Sequence, residues 1–550
     1  MRVKSSKAKA GQKKRIDLDL KEIDALLARA EAGVLDAGDC EIIKAMAECI
    51  VYLSQAVDEK AVKIKKLLRM IFGASTEKKQ NVIANAKDGE ASSDAGEEAA
   101  GASSPKDEGE KIPPKGHGRN GADDYPGAAR IEIAHPELKP GDPCPECKEG
   151  KLYKISEPGV EIRVKGAAPL TATIYELEKL RCNLCGALFT APLPASAGKK
   201  KYDASAVAMI ALLKYGYGLP FNRIAGLEAN LGMPLPVSTQ WDVIKEAMPL
   251  FQPVYRELIH QAAQGEIFFN DDTTMKVLSL IKENQRGDPD RTGMFTTGIV
   301  VVTGSRKIAL FFTGRKHAGE NLNHVLASRS AGLSTPLQMC DGLDRNVPED
   351  FKVVLANCLV HARRNFVDAE ICFPDECRYV IEILAEVYKH EKIAKEKMMP
   401  AENRLLYHQA ESLPLMNELH AWLKTQIEQK KVEPNSGLGD AIKYMLKRWH
   451  KLTRFLEVAS APLDNNLCER ALKKAILHRK NSLFYKTERG AAAGDMFHSL
   501  ILTCEFADAN PHDYLMALLN NAPLVQATPR DWMPWNYMDS LHTHQGSSLS

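Results

Sequence analysis

Apolar residues near the start of the chain recur at alternating spacings of three and four. Within residues 17–72 only Lys60 interrupts the apolar seam, which consists of Ile43, Met46, Ile50, Leu53, Val57, Ile64, Leu67 and Ile71. Repetition of this kind over about four heptads predicts a helix with one continuous apolar stripe, as in a coiled coil. Two interpretations stay open: the helix dimerises with a second copy, or it packs on the neighbouring helix of its own chain. We place an N-terminal helical domain over residues 1–78.

The next regions differ from this helical start and from each other. Residues 79–130 are rich in Ala, Gly, Ser, Glu, Asp and Pro, with Tyr125 as their only aromatic residue, and predict a disordered linker. Short alternating stretches predict strands in a small β module over residues 131–200. Residues 201–262 have helical spacing. A Gly/Pro turn within them allows a DNA-binding helix-turn-helix, although packing in a core explains that pattern more often.

From residue 263 the pattern changes to short β-rich runs between turns. These runs are GEIFFNDDTTMKVLSLI, GMFTTGIVVVTG, KIALFFTG, TPLQMCDG and FKVVLANCLV. Helical spacing follows in five segments, which are residues 318–330, 359–371, 372–461, 462–478 and 489–509. This order predicts a multidomain α/β protein. Its core would consist of residues 263–371 and 462–510, with an all-helical insertion over residues 372–461 and a C-terminal tail over residues 511–550.

Length and charge refine this picture. The chain has 550 residues, which at about 100–200 residues per domain suggests about three or four units. Its net charge of +2 does not point to nucleic acid, but residues 1–16 carry seven basic groups and no acid, and residues 443–489 carry twelve basic groups against four acids. Local basic patches attract phosphate at any total charge, so DNA stays a candidate partner. For residues 1–16, a solubility patch is an equally good explanation.

Twelve cysteines occur in a chain that shows neither a secretory signal nor a run of 18 apolar residues. We therefore expect a cytoplasmic protein with no membrane partner, whose cysteines bind metal rather than form disulfides. Two CxxC pairs, separated by 34 residues, can each present two sulfurs from one tight turn: Cys144, Cys147, Cys182 and Cys185. Four thiolates form the tetrahedral site of structural Zn²⁺ and leave no open position for catalysis.

Two predicted strands are apolar until an aspartate ends them. EIFFND ends at Asp271, which Asp272 follows, and TPLQMC leads into Asp341. If the two strands are neighbours, both carboxylates reach the same edge of the sheet. Glu469 would join them from the second turn of a helix that starts near Asp464. Three such acids can hold two Mg²⁺ ions, as in two-metal phosphoryl-transfer sites. Strand-end aspartates are also common turn residues, which is the alternative explanation.

Five basic residues follow Glu469 on the same predicted helix: Arg470, Lys473, Lys474, Arg479 and Lys480. The simple explanation is a solvated helix face with ordinary pairs such as Glu469 with Lys473. The alternative is that the acid binds a cation while the basic side chains hold a DNA backbone.

Further motifs occur in a fixed order along the chain. They are LLRMIFGASTEKK, the two CxxC pairs, FFNDDTTMKVL, LQMCDG, CLVHARRNF, PLDNNLCERALKKAILHRKNSLF and AAAGDMFHSLILTCEFADANPHDYL. Together they resemble the transposases of the IS66 family of bacterial insertion sequences. The resemblance covers most of the chain, and its closest match is PLDNNLCERALKKAILHRKNSLF.

The resemblance implies an RNase H-like catalytic core whose DDE triad is Asp271, Asp341 and Glu469. The 127 residues between Asp341 and Glu469 accommodate the family's all-helical insertion. Two Mg²⁺ or Mn²⁺ ions per active site and a structural Zn²⁺ are implied. The implied reaction is hydrolysis of a DNA strand at the element end, followed by attack of the freed 3′-hydroxyl on target DNA. The implied partners are terminal inverted repeats, target DNA, further copies of the chain, and small companion proteins of the element.

Two positions depart from the family pattern. Asp272 stands where the family usually has glutamate after its first catalytic aspartate, and Leu359 stands where tryptophan is common. Asp272 keeps the charge but shortens its reach, so its role is open. Cys358 and His361 form half of a metal site or, more commonly for such a pair, a packing contact. His317 and the pair Arg363–Arg364 are weak candidates for DNA contact.

Two other functions stay open at this point. A zinc-containing DNA-binding regulator would keep the zinc module and the coiled coil around an inactive core. A nuclease with a similar core would cut nucleic acid without joining strands. Cleavage and joining assays separate the three functions.

Overall fold

The computed structural model describes residues 28–30, 32–33, 36, 38–40, 43, 136–143, 145, 151–153, 168–181, 188–287 and 291–546. Contacts divide the chain into two units, one of residues 1–91 and 174–550 and one of residues 92–173. Three predictions fall outside the described residues: the apolar seam apart from Ile43, the linker, and the four cysteines expected to bind zinc. They stay predictions.

Short antiparallel pairings flank each CxxC pair. In the unit of residues 92–173, Pro143, which precedes the first pair, forms an antiparallel bridge with Lys151, which follows it. In the other unit, strand β1 (Lys179–Arg181) pairs with strand β2 (Leu188–Thr190) on either side of the second pair. A tight turn between two paired strands can present both sulfurs of a CxxC to one ion.

Five further strands form one mixed sheet in the order β5–β4–β3–β6–β7. They are β3 (Ile267–Thr274), β4 (Phe295–Thr303), β5 (Arg306–Gly314), β6 (Leu337–Cys340) and β7 (Val354–Asn357). Strands β3, β4 and β5 are antiparallel neighbours, whereas β6 and β7 run parallel to β3. Strand β4 reads FTTGIVVVT and is buried on both faces, as its β-branched residues favour.

Fifteen α-helices lie in the described residues from 204 onward. They are α1 (Ala204–Ala211), α2 (Phe221–Asn230), α3 (Val237–Ala263), α4 (Leu278–Arg286), α5 (Ala318–Leu326), α6 (Leu359–Ala369), α7 (Pro374–Glu396), α8 (Ala401–Glu428), α9 (Gly437–Lys447), α10 (Trp449–Leu452), α11 (Asn466–Ser482), α12 (Glu488–Phe506), α13 (Pro511–Asn520), α14 (Ala522–Ala527) and α15 (Tyr537–Gly546). A π-helical turn, Leu212–Gly216, continues α1. None of the described helices is long and apolar enough to cross a lipid bilayer.

Helix α12 covers the edge strand β5. Three side chains one helical turn apart accept hydrogen bonds from alternate backbone N–H groups of the strand. The pairs are Asp495 with Thr313, Ser499 with Phe311, and Thr503 with Ala309. These bonds occupy N–H groups that an open sheet edge would leave unpaired, so β5 cannot add a further strand.

The helices between β7 and α11 share one hydrophobic core with the sheet. Leu419 of α8 and Ile442 of α9 belong to the same buried cluster as Phe269 of β3 and Met339 of β6. The stretch from β7 to α11, all of it described, contains helices and no strand. The structure thus confirms a mixed α/β protein with a helical stretch at the predicted place, while the predicted domain boundaries stay predictions.

Two local predictions differ from the structure. The β-rich run around LSLI turns into helix α4, because beyond β3 the backbone finds only an isolated bridge between Val277 and Tyr485. Helix α11 starts at Asn466 and not near Asp464, because the preceding Leu463 carbonyl accepts from the Leu359 N–H at 3.0 Å. The later start places Glu469 in the first turn of α11 and not in the second.

Candidate active site

Three residues lie near one level of the sheet: Asp341 directly follows β6, Cys358 directly follows β7, and Asp271 lies inside β3, which runs on to Thr274 and does not end at the aspartate as predicted. The paired register of β3 with β6 ends at Phe269 with Met339, and two residues further along each strand direction stand Asp271 and Asp341. The register of β6 with β7 ends at Cys340 with Asn357, and the next residues are Asp341 and Cys358. Because side chains alternate along strands, residues at one level in a parallel register share a face. The sheet edge therefore gathers two carboxylates and one thiol.

Helix α11 lies directly on the sheet at Gly298, which pairs with Asp271. A Cβ atom at this glycine would meet Leu472 at 2.9 Å, so a larger residue would push the helix away. The thiol of Cys468 donates to the Gly298 carbonyl at 3.2 Å. Glu469 follows in the first turn of α11 and is thereby held over the same edge.

The environment of Asp271 disfavours negative charge. The pKa of its carboxyl is raised to about 7, first by burial and to a smaller extent by the carboxylates of Asp341, Asp272 and Glu469, while a hydrogen bond from the backbone N–H of Asp272 lowers it. Asp341 and Glu469 thus lie near enough to Asp271 to disfavour its negative charge. A divalent cation relieves such repulsion, because its charge attracts every carboxylate around it.

A buried amide network holds Asp341. Its Oδ1 accepts from the Asn346 side chain at 2.6 Å and from the Leu343 N–H at 3.1 Å. The Asn346 carbonyl accepts in turn from the side chains of Asn270 and Gln338, at 2.7 and 2.6 Å. The sequence analysis did not predict this network. Its signal was the presence of the polar residues Asn270 and Gln338 inside otherwise apolar strands.

Asp272 occupies a different pocket from Asp271. Its carboxylate accepts from the Thr297 hydroxyl at 2.6 Å and from the Ala318 N–H at 3.0 Å, and it lies 3.1 Å from His317 Nδ1. The side chain is only 2% exposed. These contacts fix the start of α5 on the sheet, which explains an aspartate here without any role in metal binding. The contact with Asp272 also gives His317, a weak candidate for DNA contact, a partner within its own chain.

Glu469 also lies beside Cys358 and His361. One ligand atom from each of the three lies within 4.8 Å of the other two. Glu469 Oε1 is 3.8 Å from His361 Nε2, which is longer than a hydrogen bond. Cys358 precedes α6 and His361 lies in its first turn. The sequence spacing suggested this pair but could not show that Glu469 completes it.

The five basic residues predicted to bind DNA fall into two groups. Three are exposed along one face of α11: Arg470, Lys473 and Lys480. Lys474 instead donates to Glu505 at 2.7 Å. Arg479 donates to the hydroxyls of Thr273 and Thr274 at 2.9 and 2.7 Å. DNA contact by any of the five stays a prediction, and the exposed three are the better candidates.

A model of the IS66 family of transposases matches residues 199–493, more than half of the chain. The chain belongs to the IS66 transposase family. The matched region includes the whole mixed sheet and all three predicted acids, and it confirms the family that the motifs indicated.

Two proteins of Sinorhizobium fredii (strain NGR234) are similar to this family member over most of its length. Uncharacterized protein y4hP is 26% identical over 432 residues, which cover 74% of this chain and 75% of y4hP. Uncharacterized protein y4jD is 26% identical over 415 residues, which cover 71% of this chain and 77% of y4jD. These likenesses extend beyond the region that the family model matches.

Proposed function

We propose that the protein is a DDE transposase that cleaves the ends of an insertion sequence and joins them to target DNA. Asp271, Asp341 and Glu469 are its catalytic acids, carried by an RNase H-like core. The observation that carries this proposal is the placement of the three acids: Asp271 in β3, Asp341 after the neighbouring parallel strand β6, and Glu469 in the first turn of α11, which packs on Gly298 opposite Asp271. Acids gathered in this way at a sheet edge are typical of a site for divalent cations.

The donor set at this edge fits Mg²⁺ or Mn²⁺. The three catalytic acids supply carboxylate oxygens, and Asn346 fixes one oxygen of Asp341 in place. Hard oxygen ligands are those that these ions prefer. When bound, a pair of such ions would stabilise negative charge on the reacting phosphate and favour ionisation of the attacking oxygen.

The remaining residues bind and orient the DNA. Arg470, Lys473 and Lys480 form an exposed row next to Glu469 and hold the phosphates of the strand. In the first step, water attacks a phosphorus at the element end, the P–O3′ bond breaks, and the 3′ oxygen leaves with a proton. In the second step, that 3′-hydroxyl attacks a target phosphodiester, whose own P–O3′ bond breaks. No covalent bond to the protein forms in either step.

Further parts of the proposal concern residues outside the described ranges. The cysteines of the two CxxC pairs hold a structural Zn²⁺, and the N-terminal helix joins copies of the chain. The DNA partners are the terminal inverted repeats and the target. Small companion proteins of the same element complete the assembly.

The deciding experiment uses the full-length protein and DNA that carries the inverted repeats flanking its gene. With Mg²⁺, the wild type should nick the ends and form joined products. Asp341→Asn should lower the nicking rate more than about 1,000-fold, because it removes a charged ligand from the site. The matched control is Asp344→Asn, which changes an exposed aspartate three residues further on and should nick like the wild type.

Two outcomes would replace the proposal. If the wild type and Asp341→Asn both bind the ends and neither cuts them, the protein is a DNA-binding regulator with an inactive core. If the wild type cuts but gives no joined product under any condition that supports cutting, it is a nuclease.

A further inference from the structure

We infer that Cys358, His361 and Glu469 form a binding site for a zinc-like divalent cation. The three residues offer a sulfur, an imidazole nitrogen and a carboxylate oxygen, and these atoms lie within 4.8 Å of one another. Zn²⁺ and Co²⁺ accept this combination of ligands, whereas Mg²⁺ takes oxygen ligands. The site therefore differs in chemistry from the all-carboxylate set beside it.

The distances are close to those of a formed site. In a tetrahedral zinc site, bonds of about 2.0–2.3 Å place neighbouring ligand atoms about 3.3–3.6 Å apart. Glu469 Oε1 and His361 Nε2 are already 3.8 Å apart. The side chains of His361 and Glu469 are 24% and 26% exposed and have room to move, while Cys358 is fully buried and fixed. Small rotations of the two mobile side chains therefore complete the geometry.

Two of the three residues carry polar atoms that lack partners. Glu469 Oε1 and His361 Nδ1 are buried, and neither has a hydrogen-bond partner among the residues that the structure describes. Buried polar atoms are normally paired, because water is no longer available to them. A cation at this place would satisfy the Glu469 oxygen directly, and His361 would bind it through Nε2, which lies 3.8 Å from that oxygen.

The surrounding backbone supports the thiol as a ligand. Cys358 Sγ accepts the backbone N–H of Asn465 at 3.3 Å, and the N–H of His361 also points to it. Hydrogen bonds of this kind orient metal ligands from outside the first coordination sphere. Asn465 immediately precedes α11, so the same contact ties the helix of Glu469 to the helix of His361. The three ligands are thus positioned before any ion arrives.

Glu469 belongs both to the carboxylates proposed to bind Mg²⁺ and to the site with Cys358 and His361. The two ions would therefore compete for it. A carboxylate held by Zn²⁺ is withdrawn from Mg²⁺, so zinc would inhibit the DNA chemistry. The binding of zinc depends only on the ligands described here. The inhibition rests in addition on the proposed function.

Cobalt titration of the full-length protein tests the site. Co²⁺ is added anaerobically with a thiol-free reductant, and thiolate-to-cobalt absorption is followed. The wild type should bind one more equivalent of Co²⁺ than Cys358→Ser, whatever the CxxC cysteines contribute to both. The control is Cys377→Ser, which removes another free, fully buried cysteine and should match the wild type. Equal cobalt binding by the wild type and Cys358→Ser would overturn the inference.

Two further variants guard against a folding defect in Cys358→Ser. His361→Gln and Glu469→Gln keep the thiol but each remove one ligand. Loss of a residue outside the first coordination sphere typically lowers metal affinity about 10–100-fold. Each of these two variants should lose more cobalt affinity than that. Circular dichroism checks that each variant is folded. Unchanged affinity in both would also overturn the inference.

A cleavage assay with Mg²⁺ then tests the inhibition. Added Zn²⁺ should lower the cleavage rate of the wild type and of Cys377→Ser by a larger factor than that of Cys358→Ser. Equal factors would contradict the competition for Glu469. If the wild type does not cleave even without Zn²⁺, the proposed function fails, while the cobalt result still decides the site.

Discussion

Asp271 and Asp495 are both buried aspartates with a raised pKa, but the groups around them differ. Burial raises the pKa of Asp271, in the central strand β3, to about 7, and burial does the same for Asp495, on helix α12 at the edge of the sheet. Around Asp495 the other influence is Thr313, whose backbone N–H and hydroxyl donate to the carboxylate at 2.7 and 2.6 Å. Around Asp271 the other influences are the Asp272 N–H, which lowers the pKa, and the carboxylates of Asp341, Asp272 and Glu469, which raise it.

The difference separates a structural acid from a candidate metal ligand. Asp495 is satisfied by Thr313 and fastens the strand β5 to its helix. Asp271 has like charges as neighbours, and a cation would relieve their repulsion. A raised pKa therefore does not mark a functional site by itself; the neighbouring carboxylates, which Asp271 has and Asp495 lacks among its named influences, separate the two sites.

Replacing each aspartate by asparagine should give the largest difference between the two sites, and it should appear in the rate of DNA cleavage. Asp271→Asn should lower the rate of cleavage at element ends more than about 1,000-fold, because an amide provides no charge for the divalent ions. Asp495→Asn should stay within about tenfold of the wild type, since asparagine can keep both contacts with Thr313. Rates on end-labelled DNA at saturating Mg²⁺ measure both effects. Similar losses in the two variants would remove the distinction between the sites.

The stability of the fold should also depend on pH through both Asp271 and Asp495. This effect should be smaller than the effect of the asparagine substitutions on cleavage. Both carboxyls have folded-state pKa values near 7, well above the unfolded value of about 3.9. Between these values the folded protein binds protons that the unfolded chain does not. Each group therefore stabilises the fold below pH 4, and this stability is lost as the pH rises to about 7.

Urea unfolding at several pH values between 4.5 and 7 measures this loss. Each asparagine variant should flatten the decline by up to about 1.4 kcal/mol per pH unit, the value for one proton. Saturating Mg²⁺ should flatten the decline of the wild type and of Asp495→Asn, because it favours ionised Asp271. It should have no such effect on Asp271→Asn. A Mg²⁺ effect that survives in Asp271→Asn would show that the ion binds elsewhere.

The sequence allowed part of this site to be predicted. Asp271 and Asp341 each follow an apolar run, and a parallel register places such residues side by side. Glu469 was harder, because 127 residues separate it from Asp341 and nothing local shows that α11 lies on Gly298. Its place near the start of a predicted helix suggested it, and the resemblance to a known family then supported the assignment.

The remaining features depend on the tertiary structure and had no local pattern. Asp271 and Asp272 are adjacent acids, and only the positions of Thr297 and Ala318 show that the second is used to hold helix α5. The pair Cys358 and His361 likewise has the spacing of many packed helix starts. Its third member comes from a helix more than a hundred residues away in sequence.

The smallest expected effect concerns two adjacent lysines of α11. Lys473 is exposed on the side of Glu469, whereas Lys474 donates to Glu505 of α12, the helix that carries Asp495. If DNA lies along the edge that holds Asp271, Lys473→Ala should reduce the slope of log Kd against log salt concentration by about 1, and Lys474→Ala should not. Anisotropy titrations of a labelled element end measure both slopes. Because the two lysines have the same charge and neighbouring positions, unequal slopes would arise from the direction each faces and from the ion pair of Lys474 with Glu505. Equal slopes would place the DNA away from this edge.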